Sequence, residues 1–212
     1  FDHKRGGRAG RQELPAFKFE GSLLSAVQAE SGSEEVDRVL AELYFWLTHI
    51  QSLELLSPAA MKGGTRLSAN DMGSRGDRLA GFLAALRPKQ RSRVVRRVNL
   101  FYPLADLDTI RKRAGWIDLI LAEQFADLGK VSSKQMSDGF MRLLALCAIP
   151  ELPKVSLVLL DELEDGIEPH ILGRLVTLIA QETRAQIIAT SHSPVLANVV
   201  GASALRLISR TP

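Results

Sequence analysis

The amino-acid sequence predicts an α/β fold in which helices flank a parallel sheet, with a mainly helical insertion in the N-terminal half. Two continuous apolar runs, at residues 155–160 and 186–190, are typical of strands buried on both faces. A stretch with helical periodicity, residues 168–183, separates these runs, and a third strand is predicted at 204–208. Alternation of strand and helix at this spacing indicates a parallel α/β layer.

The N-terminal half has the apolar spacing of helices. Ser31 and Glu34 stand at the spacing of a capping box, and apolar residues then recur with a helical period until about Leu56. Two further helices are predicted at about 78–86 and 89–100, because a proline interrupts the pattern between them.

The middle of the chain is predicted to form a β-hairpin. Residues 116–125 favour extended chain, residues 126–130 are typical of a turn, and a short strand follows toward Gln135. A helix over 138–149 then leads into the C-terminal strands. The expected organisation is a strand and loop remnant at 1–30, a helical subdomain at 31–115, the hairpin at 116–135 and an α/β core at 136–212.

The composition excludes several classes of protein. With 212 residues, 46% of them hydrophobic and 24% charged, the chain is too apolar for wholesale disorder. Its apolar runs are far shorter than the roughly 20 residues of a membrane span, and it opens without a signal peptide. The single cysteine, Cys147, excludes an intramolecular disulfide and indicates a core thiol in a reducing compartment, so we expect a cytoplasmic protein. Because the chain begins with Phe1 rather than Met, we also expect a piece of a longer protein.

The strongest chemical signal is a pair of acids, Asp161 and Glu162, directly after the first apolar strand. Ligands of open α/β folds bind at this edge of the sheet, where one carboxylate can hold Mg²⁺ and the next can orient or deprotonate a water. Glu164 and Asp165 follow, and four acids within five positions repel one another unless a cation is near. The alternative is that these acids cap the following helix.

Two further segments are predicted to meet this edge of the sheet. His192 follows the second apolar strand, so adjacent parallel strands would bring its imidazole near the acid pair, where it can donate to a phosphate oxygen. Ser137 precedes the helix over 138–149, and together with Gly139 it is typical of an anion-binding helix start. Taken singly, the histidine is also explained as a structural hydrogen-bonding residue and the serine as an ordinary helix cap.

Together these segments resemble the ABC-type ATPases, specifically the SMC/RecF-like and OLD-like AAA ATPases. The resemblance has four parts in the family's order: a signature at 136–140, Walker B at 157–162, a D-loop region at 163–169 and a switch segment at 189–194. Ser137 precedes Asp161 by 24 residues and His192 follows it by 31, and both spacings suit the family.

The resemblance implies a P-loop NTPase-like fold and a Mg²⁺-dependent ATPase that couples ATP binding and hydrolysis to dimer closure and to a partner activity, DNA-related or in phage defence. Asp161 would coordinate Mg²⁺, Glu162 would activate the hydrolytic water, and His192 would contact the γ-phosphate. Leu163 departs from the proline that often follows the glutamate in this family. Four residues would contact ATP bound on the opposite subunit of a homodimer: Ser137, Asp138, Gly139 and Asp165.

The glycine-rich phosphate loop of such ATPases, Walker A, is not found in the sequence. Its pattern is GxxxxGK[ST], and the only Gly-Lys pair, Gly129-Lys130, has Gln124 and Val131 at the other required positions. We therefore expect Walker A to lie in an N-terminal segment that is missing here, and negligible ATP affinity and turnover for these residues alone.

The basic segment Arg87–Arg97 has two interpretations. It could contact nucleic-acid phosphates, or it could be the solvated face of a helix whose other side carries Val94 and Val95. Trp116 and Phe125 are predicted to pack within the hairpin rather than to stack on bases.

Two other functions compete with the ATPase. The chain could be a non-catalytic, ATPase-like module for binding or dimerisation that lacks a P-loop, or a Mg²⁺ nuclease that uses the acid cluster. The charged residues Asp161, Glu162 and His192 favour the ATPase, because a degenerate module has no need for charge clustered at a sheet edge. The nuclease leaves His192 and the signature unexplained.

Overall fold

The computed structural model describes residues 2–5, 8–11, 34–55, 57–124 and 129–209. The strands are β1 (Asp2–Arg5), β2 (Arg8–Arg11), β3 (Ile50–Leu53), β4 (Thr65–Arg66), β5 (Leu104–Arg111), β6 (Trp116–Glu123), β7 (Lys130–Ser132), β8 (Leu157–Leu160) and β9 (Gln186–Ala189). The helices are α1 (Glu34–Thr48), α2 (Pro58–Lys62), α3 (Leu79–Ala85), α4 (Pro88–Val98), α5 (Asp138–Ala148), α6 (Pro169–Glu182) and α7 (Pro194–Val199). Short 3₁₀ turns are formed by Arg113–Gly115, Ser133–Gln135, Ile149–Glu151 and Ala202–Ala204.

In the described part of the first compact unit, residues 1–49, the structure has two paired strands and a helix. Strands β1 and β2 pair in antiparallel register. Helix α1 carries acidic residues in its first turn, where they suit the positive end of the helix dipole. The helix ends at Thr48, so the prediction that it continues to about Leu56 is wrong. The predicted cap at Ser31 lies outside the described residues.

A three-stranded parallel sheet forms the centre of the second unit, residues 50–212. Its strand order is β3-β8-β9. Leu160 of β8 pairs with Leu53 of β3 on one side and with Ala189 of β9 on the other. The prediction that β8 and β9 are adjacent and parallel is confirmed. Residues Ile50–Leu53 form a strand rather than the end of the predicted helix, because β8 supplies partners for their backbone groups.

The second sheet of this unit is antiparallel, with the order β4-β6-β5 and with β7 also paired to β6. Strands β5 and β6, with eight residues each, form a long hairpin. Strands β6 and β7 form the hairpin that the sequence predicts, although its turn residues 125–128 lie outside the described residues. The segment 31–115 is therefore not wholly helical, since it contains β3, β4 and β5.

Helices α3, α4, α5 and α6 confirm the helical predictions to within about two residues at each end. Helix α3 contacts the antiparallel sheet, α4 contacts α5 and β5, and α6 contacts α5 and α7. One cluster of buried apolar side chains runs through these layers and includes Phe82, Leu119, Leu144 and Val158. Among the described residues, no helix combines the length and the hydropathy that a membrane crossing requires.

The outer edge of the parallel sheet is more exposed than the sequence predicts. Residues 186–190 predict a strand buried on both faces, but most of β9 is exposed, and it lies at one edge of the sheet rather than at its centre. The strand predicted at 204–208 is not formed. Residues 202–204 make a 3₁₀ turn, and Leu207 and Ile208 are more than 90% exposed. An extended segment gains no strand structure without a hydrogen-bonded neighbour.

Helix α4 is held to the core by a network of buried ion pairs. The Arg97 side chain, only 3% exposed, donates to Glu151 Oε1 at 2.9 Å and to Glu182 Oε2 at 2.7 Å. It also donates to the Cys147 carbonyl at 3.2 Å. Arg93 donates to both carboxylate oxygens of Glu151, at 2.9 and 2.5 Å. The basic segment predicted as a solvated face or a phosphate-binding face is thus partly buried, and these two arginines are structural.

The single cysteine is buried within α5. Burial raises the pKa of the Cys147 thiol to about 12, so the thiolate is negligible near neutral pH. The prediction of an inert core thiol is consistent with this environment.

Replacing Glu151 with Gln should lower the free energy of unfolding by about 3 kcal/mol, because the buried Arg97 guanidinium loses one of its two counter-charges and Arg93 loses its ion pair. Burial raises the pKa of Glu151, but hydrogen bonds from Arg93 and Arg97 outweigh it and hold the pKa below the ordinary 4.5. The stabilisation is therefore present above pH 4.5 and is lost as the pH falls through the lower pKa of the folded state. Urea unfolding of both proteins across this range measures the effect.

The matched control is Glu54→Gln, since Glu54 is exposed and should change stability by no more than about 0.5 kcal/mol. Equal losses in the two variants would show that the buried network does not carry the effect.

Candidate functional site

The acid pair lies at the carboxyl end of the central strand of the parallel sheet, as the sequence predicts. Asp161 and Thr190 directly follow the paired residues that end β8 and β9, so their side chains meet across the sheet edge. The Thr190 hydroxyl donates to Asp161 Oδ1 at 2.6 Å, and the Thr190 hydroxyl oxygen in turn accepts from the backbone N–H of Glu162 at 2.8 Å. The Asp161 side chain is exposed rather than sealed in the core. Thr190 thus orients the Asp161 carboxylate and holds the backbone of Glu162.

Glu162 has a left-handed backbone, with a φ of +45°. Non-glycine residues avoid this region, and a strained backbone is retained where the surrounding structure holds it. Here the hydrogen bond to Thr190 holds the N–H of Glu162, and the buried side chain of Leu163 anchors the next residue. The chain therefore turns sharply after the strand, and the half-buried Glu162 side chain lies at the turn.

Hydrogen bonds from backbone N–H groups connect the segment containing His192 to residues 161–165, which we call the acidic loop. The N–H of His192 donates to Glu164 Oε1 at 2.6 Å, and the Leu163 N–H donates to the Thr190 carbonyl at 3.2 Å. Burial raises the pKa of Glu164, but hydrogen bonds from backbone N–H groups and from Ser191 lower it by more, so the pKa lies below its ordinary value. Glu164 is an anchor, and the imidazole of His192 remains exposed at the same sheet edge.

Ser137 is the N-cap of α5, and its hydroxyl accepts from the Phe140 N–H at 3.2 Å. This bond satisfies one of the unpaired N–H groups at the start of the helix. Asp138 is exposed and forms an ion pair with Lys62 at the end of α2. The structure therefore supports the ordinary helix-cap interpretation of Ser137 within this chain, and its exposed side chain is also open to a partner.

Arg142 joins the signature helix to the acidic loop. Its guanidinium is 3% exposed, and it donates to Asp165 Oδ2 at 2.9 Å and to the Glu162 carbonyl at 2.7 Å. Burial lowers the pKa of Arg142, although the neighbouring acids oppose this shift. An arginine remains charged in proteins, so the acid cluster has a cation beneath it.

Gly139 and Gly166 bring the same two segments into backbone contact. A Cβ on Gly139 would lie 2.5 Å from the Gly166 carbonyl oxygen, so no larger residue fits without movement. Gly166 has a φ of +65°, a conformation that glycine adopts readily. The segments predicted as the signature and the D-loop region are thus adjacent within one chain.

The residues at this sheet edge suit a magnesium ion whose coordination shell is completed by waters and by a bound ligand. Within the described residues, no group of three or more His, Cys, Asp or Glu side chains could hold a metal by itself. Mg²⁺ is commonly bound by one or two carboxylates together with waters and substrate phosphates. The exposed, oriented carboxylate of Asp161 suits that coordination, which protein side chains alone would not complete.

The sequence analysis missed three residues that organise this site: Thr190, Arg142 and Glu164. Thr190 follows its strand at the same register position at which Asp161 follows the neighbouring strand, and this alignment could have predicted their contact. Arg142 is a charge inside an otherwise apolar helix, which indicates a buried partner. Glu164 was recognised only as part of an acidic run.

One comparison with known proteins identifies a family for this chain. A family model described as "AAA domain, putative AbiEii toxin, Type IV TA system" matches residues 64–198, a range that includes every predicted site residue. No curated protein matches the chain. The chain is similar to a solved Smc head domain with a coiled coil and joint from Pyrococcus yayanosii, with 14% identity over 78% of this chain and a TM-score of 0.43. It spans 28% of the length of that solved chain.

A Gly139→Ala substitution should lower the free energy of unfolding by about 1–3 kcal/mol, because the new methyl group overlaps the Gly166 carbonyl. The loss would occur although alanine favours helices over glycine by about 1 kcal/mol. Urea unfolding is the measurement. The control is Gly201→Ala, where the nearest atom is 3.9 Å away and no loss is expected. An unchanged Gly139 variant would contradict the close packing.

Proposed function

We propose that this chain, which belongs to the AAA domain family and is an ATPase-like, nucleotide-binding module, contributes the residues that hydrolyse ATP in a Mg²⁺-dependent ATPase. The observation that carries this proposal is the acid pair at the end of β8, oriented by Thr190 from the neighbouring strand. Phosphoryl transfer requires little covalent chemistry from a protein, and depends on positioning and on neutralising charge.

Asp161 is proposed to bind the magnesium ion that accompanies ATP. The Thr190 hydroxyl donates to one oxygen of the carboxylate, which fixes the carboxylate plane and leaves the side chain exposed toward a ligand. Bound Mg²⁺ would neutralise charge on the phosphates. Repulsion within the acidic loop also favours a cation at this position.

Glu162 is proposed to hold the attacking water and to accept its proton. Its left-handed backbone directs the residue away from the strand axis, while its carbonyl is bound by Arg142 and its N–H by Thr190. His192, at the end of the neighbouring strand, is proposed to donate to the γ-phosphate. Glu164 holds the backbone of His192 at 2.6 Å and so limits where the imidazole can reach.

Ser137, Asp138, Gly139 and Asp165 are proposed to contact ATP bound on a second copy of the chain. Ser137 and Asp138 are exposed at the N-terminal end of α5, where the helix dipole favours an anion. The Asp138–Lys62 ion pair must open or reorient for this contact. ATP would then join two copies head to tail, and its hydrolysis would release them to act on a partner, in a DNA transaction or in phage defence.

The phosphate-binding loop is proposed to come from a polypeptide segment outside these 212 residues, since the GxxxxGK[ST] pattern is not among them. Calorimetric titration of the purified chain with Mg²⁺ and ATP should accordingly show no binding at millimolar concentrations, and phosphate release should stay at the buffer rate. Saturable binding or clear turnover by these residues alone would overturn this part of the proposal.

A Glu162→Gln substitution in the complete protein should abolish hydrolysis while ATP binding and the ATP-dependent dimer remain. The amide is similar in size but cannot accept a proton, so turnover should fall by at least about a hundredfold, the scale of a lost general base. Phosphate release and the sedimentation of the ATP-bound protein measure the two effects separately.

Glu35→Gln is the control, because Glu35 is an exposed glutamate on α1, which belongs to the other unit. It should leave turnover unchanged. If the Glu162 variant keeps full turnover, the assignment of the water-activating carboxylate fails. If the unmodified complete protein dimerises without binding ATP, the non-catalytic dimerisation module becomes the better description.

A further inference from the structure

A basic patch with an exposed tryptophan lies at the end of the β5–β6 hairpin. Its members surround an open pocket of about 740 Å³, and we call them the hairpin-tip patch. They are Gly64, Arg111, Lys112, Arg113, Trp116, Asp118 and Lys134. None of them belongs to the acid pair, the signature or the switch segment, so the patch needs an explanation of its own.

The hairpin geometry directs the indole outward. Ala114 and Gly115 both have positive φ, at +58° and +78°, and reverse the chain tightly between the two strands. Side chains then alternate along β6, so that Ile117 is buried in the core while Trp116 remains 45% exposed on the opposite face. The prediction that Trp116 packs within the hairpin is therefore wrong. Arg66 of β4 is its direct cross-strand neighbour.

The charge of the patch is unbalanced. Four cationic side chains line the pocket against one carboxylate, that of Asp118, which forms an ion pair with Lys112. Among the described residues, no carboxylate lies within ion-pair distance of Arg111, Arg113 or Lys134. Three cations thus face solvent around an aromatic ring without a counter-charge from the described part of the chain.

Helix α4 differs from the patch in this respect. Arg93 and Arg97 bind Glu151, Arg96 lies 3.9 Å from Glu182, and Arg91 lies 3.6 Å from Asp108. The more basic of the two segments is therefore largely neutralised by the protein itself. The hairpin tip, in contrast, combines three cations that form no ion pair among the described residues with an exposed aromatic ring.

We propose that the hairpin-tip patch binds single-stranded nucleic acid, with one base stacked on Trp116 and the flanking phosphates on Arg111, Arg113 and Lys134. Proteins that bind single strands combine aromatic platforms with a cationic groove that follows the backbone. The binding energy comes from stacking and from counterion release, so little dependence on base sequence is expected. The inference does not depend on the ATPase proposal, because no residue is shared.

A single strand fits these observations better than other polyanions. A duplex keeps its bases stacked internally, so the exposed indole would add nothing to phosphate contacts. A mononucleotide carries its phosphates on one side of the base. The cations of the patch lie on more than one side of the ring, on β5 and on the turn before α5, which suits phosphates on both sides of a base. An acidic peptide would be attracted by the cations but would have no flat ring to place on the indole.

The test is binding of a fluorescent oligothymidylate of about 20 nucleotides to the full 212-residue chain, measured by anisotropy from about 50 to about 200 mM NaCl. Trp46→Phe is used as the background, so that the remaining tryptophan emission reports on Trp116 alone. Affinity should fall with salt, and the indole emission should be quenched as the strand binds. Each cation that contacts a phosphate contributes a slope of about −0.7 in log affinity against log salt.

Three variants separate stacking from charge. Trp116→Ala should weaken binding about tenfold or more, while Trp116→Phe should retain most of it, because phenylalanine also stacks. Arg111→Gln with Arg113→Gln should weaken binding and reduce the salt slope by about 1.4. The matched control, Arg87→Gln with Lys89→Gln, removes the same charge from exposed positions of the other basic segment and should leave affinity within about twofold. Unfolding midpoints confirm that every variant is folded.

Several outcomes would overturn the proposal. The proposal fails if the strand shows no salt-dependent binding, or if the Arg87 and Lys89 control loses as much affinity as the Arg111 and Arg113 variant. It also fails if a duplex binds more tightly than the single strand without quenching the indole. Equal quenching by ATP or by thymidine monophosphate at the same concentration would assign the pocket to a mononucleotide instead. Binding of polyglutamate in place of the strand would assign it to an acidic protein partner.

Discussion

The geometry of the candidate site depends on one buried cation, the guanidinium of Arg142. It contacts the side chain of Asp165 and the carbonyl of Glu162, and therefore reaches both ends of the acidic loop from a single position on α5. Without it, the loop would hold several like charges next to a low-dielectric core, an arrangement that raises carboxyl pKa values or forces the loop apart. The arginine supplies a positive charge beneath the loop, and the Asp161 side chain remains exposed above it.

Helix α5 is fixed at its two ends by different arginines. Near its start its own Arg142 binds the acidic loop, and near its end the Cys147 carbonyl accepts from Arg97 of α4. An eleven-residue helix is about 16 Å long, so these two attachments define both its position and its tilt. The Gly139–Gly166 contact adds a third constraint at the first turn. Ser137 and the acidic loop are consequently expected to move as one body rather than independently.

The elements that could be predicted from sequence are those whose pattern is local. The apolar runs on either side of α6 and the helices of the core could be predicted from the periodicity of their apolar residues alone. The position of Asp161 and Glu162 could be predicted because they directly follow a strand. Strand Ile50–Leu53 was missed because its four residues continue a helical apolar spacing, and its partner β8 is about 100 residues away. Strand Leu104–Arg111 was missed because charged residues interrupt its alternation. Within the site, the sequence carries a signal for Thr190 and Arg142 as residues, but their partners lie in distant segments and are identified only by the fold.

The buried Cys147 has a practical consequence for measuring motion in this protein. With its thiol pKa near 12 and its side chain enclosed, it should react very slowly with maleimide reagents in the folded state. A second cysteine introduced on the surface would therefore be labelled selectively without removing the native one. A spin label or fluorophore could be attached at one chosen position per chain, and distances between the two copies of the proposed dimer could be measured with and without nucleotide while the native core packing is kept.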